Sequence, residues 1–576
     1  MAAIISALDN YTTKQFGENS HTEYGWSNSI REKIVQFSFQ LTRTNEHGVR
    51  ALQVVLTNLL TSLKYNVKNC SIPEKQVARG YLSVLYRMIG HTRDIIDGKG
   101  EYTLTYMMIH TWYNFFPQLA TFAVKCLVDL EDKTVHQYGS WKDIKYFCEY
   151  CKSQGENVYH PLIQYSIQLV NDQLNLDAVP DATNISLTAK WVPREKSSFG
   201  WLYESFASNY FREILETANT DERQRRAVLK CKTQYRKLLS SLNTKIDTTQ
   251  VKQCGKNWSE IDFAKVTSIT IAKQKKAFLN TKKDKSVRFP DDQDRVECSE
   301  HFQARIKKAA AGEVEMKGKR VGMADFTKQA CELLRSKSQI EIDLLNSQWR
   351  NNATQTGALG NMIAMVDVSG SMDGDPMNVA IALGIRIAEK SALGKRVMTF
   401  STTPTWVNLE PYSDFVSMVG VVKRAEWGMN TNFEAAHNLI LDAIIQNKMA
   451  PEDVQNMILV VLSDMQMDTG DRCDKKALYE KMDAKYAAAG VRVHGKPYKP
   501  PHILFWNLRS TSGFPALSSQ ANCSMMSGFS PALLNFFCEQ GIDALQSCTP
   551  WSVLEKTLEN ERYKIMAHRL EEEIEV

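Results

Sequence analysis

The chain has 576 residues, 43% of them hydrophobic and 23% charged. That is the balance of a globular protein too long for one core, so two or more domains are expected and a fibrous or broadly disordered chain is excluded. The net charge of +5 divides unevenly, with 50 Lys+Arg against 39 Asp+Glu in residues 1–350 and 20 against 26 in the remainder, so the two parts are expected to meet different partners.

The start, MAAIISALDNYTTKQ, lacks the basic lead and long apolar core of a secretory signal, and no later run reaches the eighteen or so apolar residues that span a membrane. The expected compartment is the cytosol or nucleus. There the twelve cysteines read as mostly buried thiols. One CxxC pair, Cys148 and Cys151, has His136 and His160 as conceivable zinc partners, but a second close ligand pair is missing.

From about residue 28 to 240, apolar residues recur three and four apart in IREKIVQFSFQLTRT, ALQVVLTNLLTSLKY, YLSVLYRMIGHTRDII, YTLTYMMIHTWYNFFPQLATFAVKCLVDL and NVYHPLIQYSIQLVNDQLN. Amphipathic helices joined by short polar breaks predict antiparallel pairs, as in a bundle or α-solenoid. The expected helical module covers residues 1–350. Within it, residues 223–288 carry 18 Lys+Arg against 4 Asp+Glu. Arg225, Arg226, Lys230, Lys232, Arg236 and Lys237 surround a packing stripe of Val228, Leu229, Tyr235 and Leu238, and Lys273, Lys275 and Lys276 follow. One such cluster reads as a solvated helix face; two raise the prospect of an anionic partner. Residues 281–320 mix charge and small residues and are expected to form an exposed, partly mobile loop region.

After RNNATQTGALGN the period changes. MIAMVDV, RVMTFST, MILVVLSD and HILFWNL have the form of buried parallel strands. They alternate with the helical MNVAIALGIRIAEKSA, NFEAAHNLILDAIIQNK and KALYEKMDAKYAAA. This alternation predicts a doubly wound α/β domain over 358–576, with a site at the carboxyl ends of its strands.

The loop leaving the first of these strands reads DVSGSM. Asp367, Ser369 and Ser371 alternate, so their oxygens can converge on a hard cation. Thr431, before a helix, and Asp464, ending a strand, fall where the fold would deliver further oxygens. Asp373 and Asp375 read as loop and helix-cap residues, and His437 as a packing residue of the following helix. The five oxygen donors resemble the metal-ion-dependent adhesion site of von Willebrand factor A domains. The resemblance implies that Ser369, Ser371 and Thr431 ligate Mg2+ or another divalent cation directly. It implies that Asp367 and Asp464 act through water, and that an acidic residue of a protein partner completes the coordination. The MN before Thr431 departs from the family, where glycine often precedes the threonine.

HTRDIIDGKGEY, YGSWKDIKYF, WVPREKSSFGWLYESFA and NWSEIDFAKV, with WGMNTNFEA and MMSGFSPALLNFF, are similar to recurrent segments of the family named for domain of unknown function 2828. The order of parts also resembles the Ro ribonucleoproteins, whose TROVE module is a ring of helical repeats. That resemblance implies small or defective noncoding RNA on a basic helical surface. Arg93, Lys99 and Lys142 then join the 223–288 residues as phosphate contacts, and Trp112, Tyr113, Trp141, Trp201 and Tyr203 become candidates for base stacking. The bland alternatives are a helix-to-helix turn at GKG and core roles for the tryptophans. The expected function is a nonenzymatic RNA-binding protein with a cation-dependent interaction domain. The alternatives are a protein scaffold without RNA and a metal-dependent hydrolase, for which no HExxH, GxSxG or phosphate-loop pattern speaks.

Overall fold

The computed structural model describes residues 13–18, 21–180, 182–425, 431–467, 478–511, 513–539 and 545–574. It combines α-helices with one mostly parallel six-stranded sheet. The chain forms two compact units, each assembled from separated segments.

The first unit comprises residues 1–59, 267–275 and 302–561. A short antiparallel pair, β1 (Lys14–Phe16) and β2 (Thr22–Tyr24), opens it. The main sheet contains β3 (Met362–Asp367), β4 (Arg396–Phe400), β5 (Thr405–Asn408), β6 (Ile458–Ser463), β7 (His502–Asn507) and β8 (Cys523–Ser527). Their order is β5-β4-β3-β6-β7-β8, parallel throughout except for β5 at one edge. Every residue of β3, β6, β7 and β8 is buried, because a parallel sheet is covered on both faces and its strands are apolar runs. Helix Asp375–Lys390 packs closely over β3: a Cβ on Gly384 would lie 2.5 Å from Val366 Cγ2.

The boundary expected near residues 350–358 is not where the compact units divide. Helix Gln339–Ala353 belongs to the sheet unit, and its Trp349 stacks on Phe415 at 3.8 Å and lies under the buried Arg386 guanidinium at 3.9 Å. The amino-terminal segment joins the same unit. Tyr24 pairs with Phe514 across an isolated bridge, and both Glu32 oxygens accept from Ser518 N–H at 3.0 Å.

The second unit holds residues 60–266, 276–301 and 562–576. Its helices include Ile72–Arg93, Thr103–Tyr113, Pro117–Cys126, Lys142–Ser153, Pro161–Asp177, Gly200–Tyr210 and Asp221–Ile246. The long run expected over 102–130 breaks before Pro117, which starts a new helix because proline suits the first helical turn. Residues 562–576 leave the expected carboxyl-terminal domain for this unit. Arg562 binds Asp94 through two 2.7 Å hydrogen bonds, and Tyr563 donates to the same carboxylate at 3.0 Å.

The loop expectation for 281–320 is corrected by helix Gln293–Ala310. Cys298, Phe302, Ile306 and Ala309 bury one stripe of it, spaced four and three apart as a helix face requires. Among the described residues no helix is long and apolar enough to cross a membrane.

Candidate metal centre

Strand order places β3 and β6 side by side at the point where the winding reverses, the position at which doubly wound sheets bind ligands beyond their carboxyl ends. Asp367 ends β3 and Asp464 directly follows β6. Both are fully buried, as are Ser369 and Thr431, whereas Ser371 is exposed. Thr431 is brought to this end of the sheet by its neighbour Asn432, whose N–H donates to Ser401 O just past β4 at 2.7 Å. The preceding WGMN segment, residues 427–430, lies outside the described residues.

Hydrogen bonds fix each carboxylate. Asp367 Oδ1 accepts from Ser369 N–H at 2.9 Å and its Oδ2 from the Ser463 hydroxyl at 2.6 Å. The Ser369 and Ser371 hydroxyls are 3.2 Å apart, as the alternating motif requires. Asp464 Oδ1 accepts from Gln466 N–H at 3.1 Å, and its Oδ2 from Arg509 Nε at 2.8 Å. Burial and the neighbouring Asp464 charge push the Asp367 carboxyl up to about 7, against the lowering effect of the Ser463 and Ser369 bonds.

This donor set fits a hard divalent cation. It offers only oxygens, and it concentrates two buried acids against one guanidinium, so added positive charge relieves a real electrostatic cost. Ser463, Gln466 and Arg509 were not among the sequence expectations. Arg509 lies two residues beyond β7, at the same sheet end, and that placement is visible only once the strand order is known. Asp375 starts its helix after Gly374, whose φ of +95° requires glycine, and pairs with Lys328. His437 is buried against Phe433 and Tyr486, as expected of a packing residue.

The expected phosphate contacts separate into two groups. Arg93 is withdrawn: it is buried in a two-pronged ion pair with Asp143, at 2.5 and 2.9 Å, which Tyr106 completes at 2.7 Å. Lys99 is buried too, in a tight turn where a Cβ on Gly98 would meet His91 O at 2.1 Å. Lys275 is buried and paired with Glu341 at 3.1 Å. Lys232, only 17% exposed, binds Glu195 at 2.7 Å, which also takes Arg236 at 3.1 Å. Arg226 pairs with Glu222. Arg225, Lys230, Lys237, Lys273 and Lys276 are exposed.

Lys142 is half-buried with its ammonium 5.0–5.8 Å from the rings of Tyr102, Tyr146 and Trp191. Lys145, which sequence reasoning missed, reaches Tyr146, Trp191 and Phe199. Together with Trp141 it lines a small cleft closed by Trp191, Val192 and Phe206. Trp112 and Tyr203 are core residues, Tyr113 packs on His160, and Trp201 donates to Glu149 at 2.6 Å. The zinc idea for the CxxC pair fails: Cys148 and Cys151 are fully buried thiols, Cys148 pushed up to about 12 by burial. His136 meets Gln137 O and His160 meets Glu156.

Two family models match the chain. Domain of unknown function (DUF2828) covers residues 163–362 and Domain of unknown function (DUF7788) covers 361–573. The two matches are consecutive along the chain, and their junction falls where β3 begins. The chain is also similar to Uncharacterized protein L728 of Acanthamoeba polyphaga mimivirus. The two are 27% identical over 545 residues, covering 90% of this chain and 83% of that protein.

Proposed function

We infer that the sheet unit is a von Willebrand factor A-type domain that uses a divalent cation, magnesium first, to engage an acidic group on a protein partner. The observation that carries this reading is the meeting of Asp367 and Asp464, both buried, at the winding reversal of a 3-2-1-4-5-6 sheet. Ser369, Ser371 and Thr431 would hold the ion. Asp367 and Asp464 would act through water, since both oxygens of each already accept protein hydrogen bonds. The bound ion supplies a positive charge to which a partner carboxylate can bind. The protein's own contribution is positional: Ser463 and Arg509 hold the two acids in place before any partner arrives.

The helical segments, on the same reading, form a TROVE-like module for noncoding RNA. Arg225, Lys230, Lys237, Lys273 and Lys276 offer exposed charge for phosphates. Lys142 and Lys145 set cations beside half-buried aromatic rings, the combination that single-stranded bases exploit. The division of labour has no catalytic step. A protein scaffold without RNA is favoured by one observation, the acidic partners that already occupy Arg226, Lys232 and Arg236.

Crosslinking to RNA in cells, followed by denaturing purification, tests the pair of roles. Charge reversal at Arg225, Lys230 and Lys237 should abolish the recovered RNA, and Asp367→Ala should leave it in place. Equal RNA recovery with the charge-reversed chain transfers the assignment to the scaffold.

A further inference from the structure

Away from the sheet, one other group of side chains among the described residues comes within reach of a shared metal ion. His110, Glu156 and His160 place their ligand atoms within 4.8 Å of one another. All three belong to the helical unit. His110 stands in the last turn of helix Thr103–Tyr113, Glu156 follows helix Lys142–Ser153, and His160 caps helix Pro161–Asp177. The Nε2 of His110 is 3.2 Å from Glu156 Oε1, and that of His160 is 3.7 Å from Glu156 Oε2.

The turn that supplies two of the three groups is firmly built. Gly155 takes a φ of +93°. Glu156 N–H donates to Cys151 O at 3.2 Å and His160 N–H to Asn157 O at 3.1 Å, while Gln164 Nε2 donates to Val158 O at 2.7 Å. The Tyr113 ring packs 4.9 Å from the His160 ring and limits its movement.

We propose that His110, Glu156 and His160 form a site for a first-row divalent transition metal, bound through two imidazole nitrogens and one carboxylate. The donors decide the class of ion. Two nitrogens with one carboxylate suit zinc and its neighbours, whereas the all-oxygen loops around Asp367 suit magnesium. Three protein ligands leave room for water or an added ligand. Glu156, with 32% of its side chain exposed, gives an entry path, while His110 is held in the interior.

The same atoms could instead make a closed triad in which both imidazoles donate to Glu156. One detail disfavours that: the 3.7 Å gap to His160 exceeds a hydrogen bond. Coordination at His160 Nε2 moves the ring proton to Nδ1. The ring then gives up the long 3.3 Å acceptance from Leu162 N–H for a metal bond.

The test is calorimetric titration of zinc into the chelator-stripped full chain, with magnesium present throughout to occupy the Asp367 loops. One zinc per chain is expected. Glu156→Gln and His160→Asn should each weaken it by at least about tenfold, the smaller end of what losing even an outer-shell partner costs. Asn preserves the helix cap, and Glu156 is partly exposed, so both variants should fold. Asp367→Ala should leave zinc affinity unchanged, which separates this site from the magnesium reading. Cobalt in place of zinc should give d–d absorption without a thiolate charge-transfer band. Absence of zinc binding, affinity in either variant equal to that of the unaltered chain, or a thiolate band would overturn the assignment.

Discussion

Single residues carry most of the account, and burial decides which of them can act. Asp367 and Asp464 are acids with no access to solvent, held by Ser463 and Arg509. An ion that binds the folded chain alone stabilises it by about 2.7 kcal/mol at a hundredfold excess over its Kd. Asp367→Ala should therefore abolish a magnesium-dependent rise in Tm, and an equal rise in the variant would refute the ligand assignment. Arg93 shows the converse. In sequence it is a basic residue beside GKG and reads as a phosphate contact, but charge alone does not reveal a buried partner fifty residues away in Asp143. Arg93→Ala should cost about 3–5 kcal/mol, the range for breaking a buried pair. Denaturant unfolding measures it, and a change below about 1 kcal/mol would contradict the buried pairing.

Three buried histidines give the molecule an acid limit. Burial holds His91 and His437 near 3 and His502 near 4, each below the ordinary 6.5. The unfolded chain then binds protons that the folded chain refuses, so stability falls as pH drops below about 6.5. Each group contributes a slope of about 1.4 kcal/mol per pH unit until its folded value is reached. Unfolding followed from pH 7 to 4.5 should show that loss, and His437→Phe should make it shallower by one group. A pH-independent profile would contradict neutral burial.

At the scale of elements, periodicity was informative where one apolar face dominates and silent where charge interrupts it. The strands β3, β4, β6 and β7 and the helices between them are legible as apolar runs and three-four spacing. The short edge strand β5 is not, because Val407 alone of its four residues is buried, and β8, CSMMS, is not, because serines interrupt its apolar run although all of it is buried. Helix Gln293–Ala310 was hidden by its flanking charges, although Cys298, Phe302 and Ile306 mark its buried stripe. Ile306→Ala should cost about 2–5 kcal/mol, far more than a loop residue would, and chemical denaturation distinguishes the two. Helix Asp221–Ile246 has its charged surface largely as read, but Glu195 and Glu222 take part of it. If RNA binds there, charge reversal at Arg225, Lys230 and Lys237 should also flatten the salt dependence. Three lost contacts to a single strand lower the slope of log K against log salt by about two.

For the whole molecule, the chain order is a poor guide to the compact units. Residues 13–59 serve the sheet unit and residues 562–576 serve the helical one, because long-range partners such as Phe514 and Asp94 leave no local pattern. The oxygen motif of the candidate site was legible as DxSxS, a later threonine and a strand-ending aspartate. Its supporting residues were not, since Arg509 and Ser463 acquire meaning only from sheet topology. Truncation after Glu561 leaves Asp94 buried without Arg562 and Tyr563. Hydrogen exchange should then show lost protection in residues 60–266 with protection kept in β3, β6 and β7. Unchanged protection in the helical segment would contradict this division.

The most direct measurement is calorimetric titration of magnesium into the full chain and into Asp367→Ala, each with and without saturating RNA recovered from the crosslinking. The account predicts one magnesium site in the unaltered chain, lost in the variant, with RNA affinity the same in both. Magnesium binding that survives Asp367→Ala, or RNA affinity that falls with it in a folded variant, would contradict a cation-dependent interaction site separate from the RNA surface.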